Sequence, residues 1–261
     1  MLFYTTYIHS NPKASWVVFI HGAGGSSSIW YKQINSFRKE FNLLFIDLRG
    51  HGQTEVIEHI NQKLEYSFQS ICQEILDVLN FLKIHKAHFV GVSLGTILIR
   101  QLISMNRTIV KSIVLTGAII RLNRLSRFLI WVGNVLKNYV PFIVLYKLFA
   151  VVIMPRRNHK NARSIFIIEA KKLKKSEFLR WFGLTKILDK KLKIFEKDTH
   201  NIHVLYLMGW QDHLFLDDVK KMAIREKYAS LEIVENCGHV VNIEQPEIFN
   251  KLSIRFLKSV E

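Results

Sequence analysis

Short runs of consecutive apolar residues alternate with amphipathic stretches along most of the chain. The apolar runs are rich in β-branched and aromatic residues and predict strands at 15–20, 42–47, 87–92, 110–116, 204–208 and 231–234. Apolar positions three or four residues apart predict helices at 29–41, after a capping Ser67, and at 95–105, 218–227 and 246–258. This alternation predicts an α/β fold whose mostly parallel sheet carries helices on both faces.

The alternation stops at Gly117 and resumes only near residue 200. We therefore predict that residues 1–119 and 200–261 form one core and that residues 120–199 form a helical insert. The apolar stretch 128–154 is interrupted by Lys137, Pro141 and Lys147, so it is too short for a bilayer span and predicts lid or interfacial helices. Its aromatic residues either line a pocket or pack the insert onto the core.

Basic residues are concentrated in the insert. The whole chain has a formal charge of +16, and residues 120–199 hold 19 Lys and Arg against 5 Asp and Glu, a charge of +14. Such asymmetry indicates an anionic substrate portion or an anionic membrane surface, with an ordinary solvated basic face as the alternative. The basic runs 171–175 and 190–193 predict a membrane-facing edge with four apolar members, Leu173, Phe178, Trp181 and Leu192. No nucleic-acid-reading motif accompanies the charge, so nucleic acid is not an expected partner.

The composition is that of a globular protein, with 49% apolar residues in 261 positions. The first residues lack the features of a secretory signal, so we expect a cytoplasmic protein. Cys72 and Cys237 do not have the spacing of a disulfide framework or a zinc site. We therefore expect neither metal nor cofactor, and the sequence does not indicate an oligomeric state.

A G-x-S-x-G pentapeptide, residues 91–95, joins the predicted strand 87–92 to the helix that follows it. At such a junction the turn is tight, and glycines at both ends avoid collisions that side chains would cause. The turn would hold the hydroxyl of Ser93 clear of the sheet at the N-terminus of a helix. Ser93 is therefore the candidate nucleophile.

A serine nucleophile needs a base and an acid that orients the base. Asp212 and His239 each follow a late predicted strand, where the active sites of α/β folds are built. His213, beside Asp212 in sequence, is the nearest rival for the base, and Asp217 or Asp218 for the acid. Six further histidines are interpreted as turn, surface or packing residues, and they are His21, His51, His85, His88, His200 and His203.

A glycine-rich loop follows the strand 15–20 and reads His-Gly-Ala-Gly-Gly from residue 21. Glycines allow backbone to approach a reacting centre, so the N–H of Ala23, with that of Leu94, is predicted to hold an oxyanion. The loop lacks the G-x-G-x-x-G and Lys-Ser/Thr patterns of phosphate-binding loops.

Together these motifs resemble the α/β-hydrolase superfamily over the whole chain apart from residues 120–199. The resemblance rests on the 21–24 loop, the Asp-Leu-Arg-Gly-His-Gly segment at 47–52, the 91–95 pentapeptide, 209–212 and 238–239. It implies an eight-stranded sheet with a helical cap after the sixth strand, and a triad of Ser93, Asp212 and His239. One departure is that Thr96, Ile97 and Leu98 follow Gly95 where many relatives have a further glycine. These bulkier residues are expected to tilt the helix or to narrow the substrate pocket.

The expected chemistry is cleavage of a carboxylic ester or thioester through an acyl-enzyme. The expected substrate is a small lipophilic molecule with an anionic portion, and the insert is expected to contact it or an anionic membrane surface. The same triad also supports C–C hydrolysis, lyase or perhydrolase chemistry. A ligand receptor without catalytic activity is the remaining alternative.

Overall fold

The structure is a computed structural model and describes residues 1–54, 65–197 and 201–261. In these ranges one sheet has seven strands in the order β1-β3-β2-β4-β5-β6-β7. β1 is antiparallel to β3, and the other neighbouring pairs are parallel. The strands are β1 (Tyr4–Tyr7), β2 (Trp16–Ile20), β3 (Asn42–Ile46), β4 (Ala87–Val92), β5 (Val110–Thr116), β6 (His203–Gly209) and β7 (Ala229–Val234).

The predicted fold class is confirmed, with one difference in the strand count. The described part of the sheet has seven strands instead of eight, so the helical insert follows the fifth strand and not the sixth. β1 lies at the sheet edge and all four of its residues are only half-buried. Its polar and aromatic residues show no clear apolar alternation, which is why the sequence did not predict it.

Eleven α-helices occur in the described ranges, and four of the five helices predicted outside the insert lie within a few residues of their predicted positions. The helix predicted at 29–41 instead begins with a 3₁₀ turn and ends at Phe37, although Phe41 is still buried. The helices are α1 (Tyr31–Phe37), α2 (Phe68–Phe81), α3 (Leu94–Met105), α4 (Arg124–Leu136), α5 (Phe142–Ile153), α6 (Lys160–Ala170), α7 (Lys175–Gly183), α8 (Thr185–Lys197), α9 (Leu216–Arg225), α10 (Val241–Glu244) and α11 (Pro246–Ser259).

Alternate residues of the central strands pack into two apolar clusters, one on each face of the sheet. On β2, Val18 and Ile20 share a cluster with residues of α2 and α3, whereas Val17 and Phe19 pack with residues of α1 and α11. Because both faces are covered, the strand is almost continuously apolar, as parallel sheets require. This packing fixes the positions of the loops at the carboxyl ends of the strands.

The helical insert, helices α4–α8, covers the carboxyl ends of the strands. Trp181 donates its indole N–H to the carbonyl of Arg49 at 2.9 Å, and the Ser26 hydroxyl donates to Glu169 at 2.6 Å. The side-chain amide of Asn123 donates to the carbonyl of Leu214 at 2.8 Å. The predicted boundary between residues 199 and 200 lies outside the described residues.

The predicted membrane-facing edge of the insert is not formed by the four apolar residues that were expected to form it. All four of these residues are less than 10% exposed and pack inward, namely Leu173, Phe178, Trp181 and Leu192. Among the helices of the described ranges, none combines the length and the apolar composition that crossing a membrane requires.

Candidate active site

Ser93 stands between β4 and α3 in a backbone conformation that is unusual for a residue with a side chain. Its φ is 53° and its ψ is −117°, so the turn is strained. A Cβ on Gly95 would overlap the carbonyl oxygen of Ile20, and one on Gly91 would lie 2.9 Å from the carbonyl carbon of Gly95. The two glycines of the pentapeptide are therefore needed where the strand, the turn and the helix meet.

Thr96 holds the same turn from the helix side. Its hydroxyl donates to the carbonyl of Ser93 at 2.6 Å and accepts from the N–H of Ile119 at 3.3 Å. The next residue, Ile97, lines the cavity above the sheet. Thr96 thus joins the turn to the end of the first core segment, just before the insert, and Ile97 adds an apolar side chain to the cavity wall.

Asp212 and His239 meet at the carboxyl ends of β6 and β7. The Nδ1 of His239 lies 2.8 Å from Oδ2 of Asp212, and both side chains are buried. The two loops are in direct contact, because a Cβ on Gly209 would overlap the carbonyl oxygen of Gly238. This hydrogen bond places the proton on Nδ1 and leaves Nε2 of His239 as the basic nitrogen.

The rival residues lie elsewhere. His213 is exposed, and Asp217 and Asp218 begin α9 within 3.9 Å of lysines one turn further on. His85 and His203 are also exposed, and His200 falls outside the described residues. The described structure therefore pairs Asp212 with His239.

The glycine-rich loop after β2 runs beside Ser93. A Cβ added to Gly22 would lie 3.3 Å from the Cβ of Ser93. Ala23 and Leu94 both line the cavity beside Ser93 and His239. Within the described ranges neither of their backbone N–H groups donates a hydrogen bond, so both are free to bind a ligand oxygen.

Two buried histidines, interpreted from the sequence as turn, surface or packing residues, hold this loop. The N–H of Gly24 donates to Nε2 of His51 at 3.0 Å, and Nδ1 of His51 donates to the carbonyl of Arg49 at 3.0 Å. The N–H of Leu48 donates to Nε2 of His21, whose Nδ1 donates to the carbonyl of Gly22 at 2.8 Å. These bonds require neutral rings with the proton on Nδ1.

Burial explains why both rings stay neutral. It lowers the pKa of His21 to about 4, and burial together with the neighbouring His21 lowers the pKa of His51 to about 3. The two rings lie 5.1 Å apart between their centroids. The signal available in the sequence was a His-Gly pair in the loop after each of two adjacent strands, but the contact between the two rings depends on the fold.

A cavity of about 260 Å³ lies between the sheet and the insert. Ser93 and His239 form part of its wall, and most of its remaining wall is apolar, including Ile130, Phe149 and Phe182 from the insert. No Lys or Arg of the described ranges lines it. The positive charge of the insert's Lys and Arg residues in the described ranges therefore lies outside the cavity, and an anionic substrate portion finds no Lys or Arg partner inside it.

Glu169 is the acidic residue among the described side chains that line the cavity. Burial alone would raise its pKa, but hydrogen bonds from Lys172 and Ser26, each 2.6 Å long, lower it below its usual value. The carboxylate therefore stays ionised and fastens α6 to the loop that follows β2. Sequence reasoning did not single it out.

A second buried network supports the loops that carry Asp212 and His239. The ring Nε2 of His159 lies 2.7 Å from Oε1 of Gln211, next to Asp212 in the chain. Glu244 accepts the N–H of Gly238 at 2.9 Å, and burial raises the pKa of this carboxyl. Both loops are thereby tied to the insert and to α10.

Comparison with known proteins agrees with this architecture. The family model described as the alpha/beta hydrolase fold matches residues 15–140. A 3-oxoadipate enol-lactonase from Acinetobacter baylyi is 33% identical over 88 residues, which are 34% of this chain and 31% of the relative. The matched part thus spans about a third of the length of that relative.

Two longer matches extend over nearly the whole chain. A putative 2-succinyl-6-hydroxy-2,4-cyclohexadiene-1-carboxylate synthase from Bacillus subtilis is 25% identical over 94% of this chain and 90% of its own length. The crystal structure of the enol-lactonase from Burkholderia xenovorans superposes with a TM-score of 0.80 at 19% identity and covers 98% of this chain and 96% of its own. The sheet order, the placement of the insert and these matches together show that the chain has the α/β-hydrolase fold.

Proposed function

We propose that this protein is a serine hydrolase that cleaves a carboxylic ester, lactone or thioester through an acyl-enzyme. The observation that carries the proposal is the buried Asp212–His239 pair, 2.8 Å apart, on the wall of the cavity that Ser93 also lines. Cytoplasmic location stays a prediction from the sequence.

In the proposed mechanism the hydroxyl of Ser93 attacks the substrate carbonyl and gives its proton to Nε2 of His239. Asp212 holds the ring through Nδ1 and stabilises the imidazolium. The negative oxygen is stabilised by the free N–H groups of Ala23 and Leu94. His239 then protonates the leaving alcohol or thiol, and a water activated by the same ring hydrolyses the acyl-enzyme.

We propose residues 120–199 as the cap and residues 1–119 and 200–261 as the catalytic core. The insert contributes Ile130, Phe149 and Phe182 to the cavity wall, so the cap shapes the apolar end of the site. The absence of Lys and Arg from the described part of that wall favours an uncharged, apolar acyl portion over one that carries a carboxylate. An anionic portion of the substrate would have to remain outside the cavity.

The test is labelling with a fluorophosphonate probe, which reacts only with an activated serine. We expect the wild-type protein to be labelled and Ser93→Ala to be unlabelled. Ser104→Ala, on the exposed face of the same helix α3, is the matched control and should label normally. A wild type that stays unlabelled while a control esterase reacts would contradict the proposal and favour a receptor.

Hydrolysis of a panel of p-nitrophenyl esters and thioesters then identifies the reaction. We expect turnover of apolar acyl esters, abolished in Ser93→Ala. Labelling without turnover of any ester or thioester would show an active serine that serves another reaction, such as C–C hydrolysis or a lyase step.

A further inference from the structure

The helix α4 has apolar residues on two opposite sides. Leu129 and Ile130 line the cavity. On the other side Phe128, Trp131 and Val135 recur at three- or four-residue spacing and are exposed. Trp131 is 60% exposed and Phe128 is 55% exposed, and their rings stack with centroids 5.9 Å apart. A soluble surface helix usually presents polar residues there, so this side needs an explanation.

The next helix, α5, repeats the arrangement. Tyr146 and Phe149 line the cavity, whereas Val144, Leu148 and Val151 are exposed at spacings of four and three. The two helices pack against each other. We call the exposed residues of both helices the outer face, which comprises Phe128, Trp131, Val135, Val144, Leu148 and Val151.

Basic residues accompany the outer face. Arg124 begins α4 and Lys147 stands between the apolar residues of α5, and both are exposed. Within the described ranges neither forms an ion pair with an acidic side chain. The sequence 120–199 as a whole carries +14, so this side of the protein is attractive to an anionic surface.

We infer that the outer face binds the surface of an anionic lipid bilayer, with α4 and α5 lying in the plane of the headgroups. Aromatic and aliphatic side chains would enter the boundary between headgroups and acyl chains, and Arg124 and Lys147 would contact the lipid phosphates. The charge complementarity selects this occupant over an uncharged apolar protein surface. The surface lies opposite the cavity side of the same helices, and its binding does not depend on the proposed hydrolysis.

Sedimentation with large unilamellar vesicles tests the inference. We expect the 261-residue chain to bind vesicles of phosphatidylglycerol and phosphatidylcholine, to bind vesicles of pure phosphatidylcholine much less, and to be released as salt is raised. The double variant Phe128→Ser/Trp131→Ser should lower the partition coefficient about tenfold or more. Circular dichroism checks that the variant is folded.

The control is Phe81→Ser/Trp210→Ser, which removes the same residue types at similar exposure, 62% and 53%, outside the insert. It should bind vesicles as the wild type does. Arg124→Gln/Lys147→Gln should weaken binding to anionic vesicles and leave binding to phosphatidylcholine vesicles unchanged. The control Arg107→Gln/Lys227→Gln removes the same charge at two exposed positions outside the insert and should weaken binding to anionic vesicles less.

Three results would overturn the inference. One is equal, weak sedimentation with both kinds of vesicle at low salt. Another is an equal loss of binding in the two aromatic double variants. The third is self-association in analytical ultracentrifugation that disappears in Phe128→Ser/Trp131→Ser while vesicle binding is unchanged, because the outer face would then join two copies of this chain.

Discussion

The Nδ1 of His239 lies 2.8 Å from Oδ2 of Asp212, although 26 residues and a whole strand and helix separate the two positions. Asp212 is completely buried, and its other oxygen accepts the N–H of Phe215 at 3.3 Å. Both carboxylate oxygens thus accept hydrogen bonds within the protein, and the side chain is held in one orientation. It fixes both the orientation and the tautomer of the ring.

Asp212→Asn should therefore lower the turnover number for an ester by about 10⁴-fold, because the amide would favour the wrong tautomer of His239. Asp217→Asn, an exposed change in the first turn of α9, is the control and should leave turnover unchanged. Steady-state kinetics on a hydrolysed p-nitrophenyl ester measures both. Comparable losses in the two variants would contradict the assignment of Asp212.

The positions of Ser93, Asp212 and His239 could be predicted because their signals are local. Each follows a recognisable strand, and Gly91 and Gly95 are required by contacts within a few ångströms. The contact between His51 and Gly24 could not be predicted, because it joins loops 27 residues apart whose approach depends on the packing of β2 against β3.

The surface of the insert was the least predictable part. A helix with apolar residues all around gives no periodic signal that separates the inside from the outside. Trp181 and Leu192, near lysine runs, turn inward, while Phe128 and Trp131 remain exposed. Which of these side chains are buried and which are exposed follows from the packing of the five helices between β5 and β6 in the described ranges.

His51 is expected to act as a positioning residue for the loop that carries Ala23. His51→Ala removes the acceptor of the Gly24 N–H and should lower kcat about 10²-fold with little change in KM, because a small displacement of an oxyanion donor is costly.

His88→Ala is the matched control, since His88 is also buried and neutral but bonds Ser112 near the other end of β4. It should lower thermal stability without a comparable loss of kcat. If both variants lose only stability, His51 does not position the loop.

The size of the apolar cavity should set the preferred acyl chain length. Ile130 lines the cavity from α4, so Ile130→Ala should shift the best substrate to a longer chain and Ile130→Trp to a shorter one. Each change should alter kcat/KM by about tenfold for the affected chain length. Rates measured from p-nitrophenyl acetate to p-nitrophenyl laurate test both. Shifts in the same direction for both variants would show that the acyl chain lies elsewhere.

Stability should fall as the solution is made acidic, because His21 and His51 cannot bind a proton while the protein is folded. Their pKa values are about 4 and about 3 in the fold, against 6.5 for an ordinary histidine, so the unfolded chain binds more protons between about pH 6.5 and those values. His21 alone accounts for about 3 kcal/mol of unfolding free energy across that window. Urea unfolding from about pH 7.5 to about pH 4 should show this loss, and His51→Gln should flatten the slope, since Gln has no proton to gain. The control His213→Gln changes an exposed histidine and should leave the dependence of unfolding free energy on pH unchanged. A wild-type protein that is equally stable at the highest and the lowest pH would mean that the rings of His21 and His51 are protonated in the folded protein.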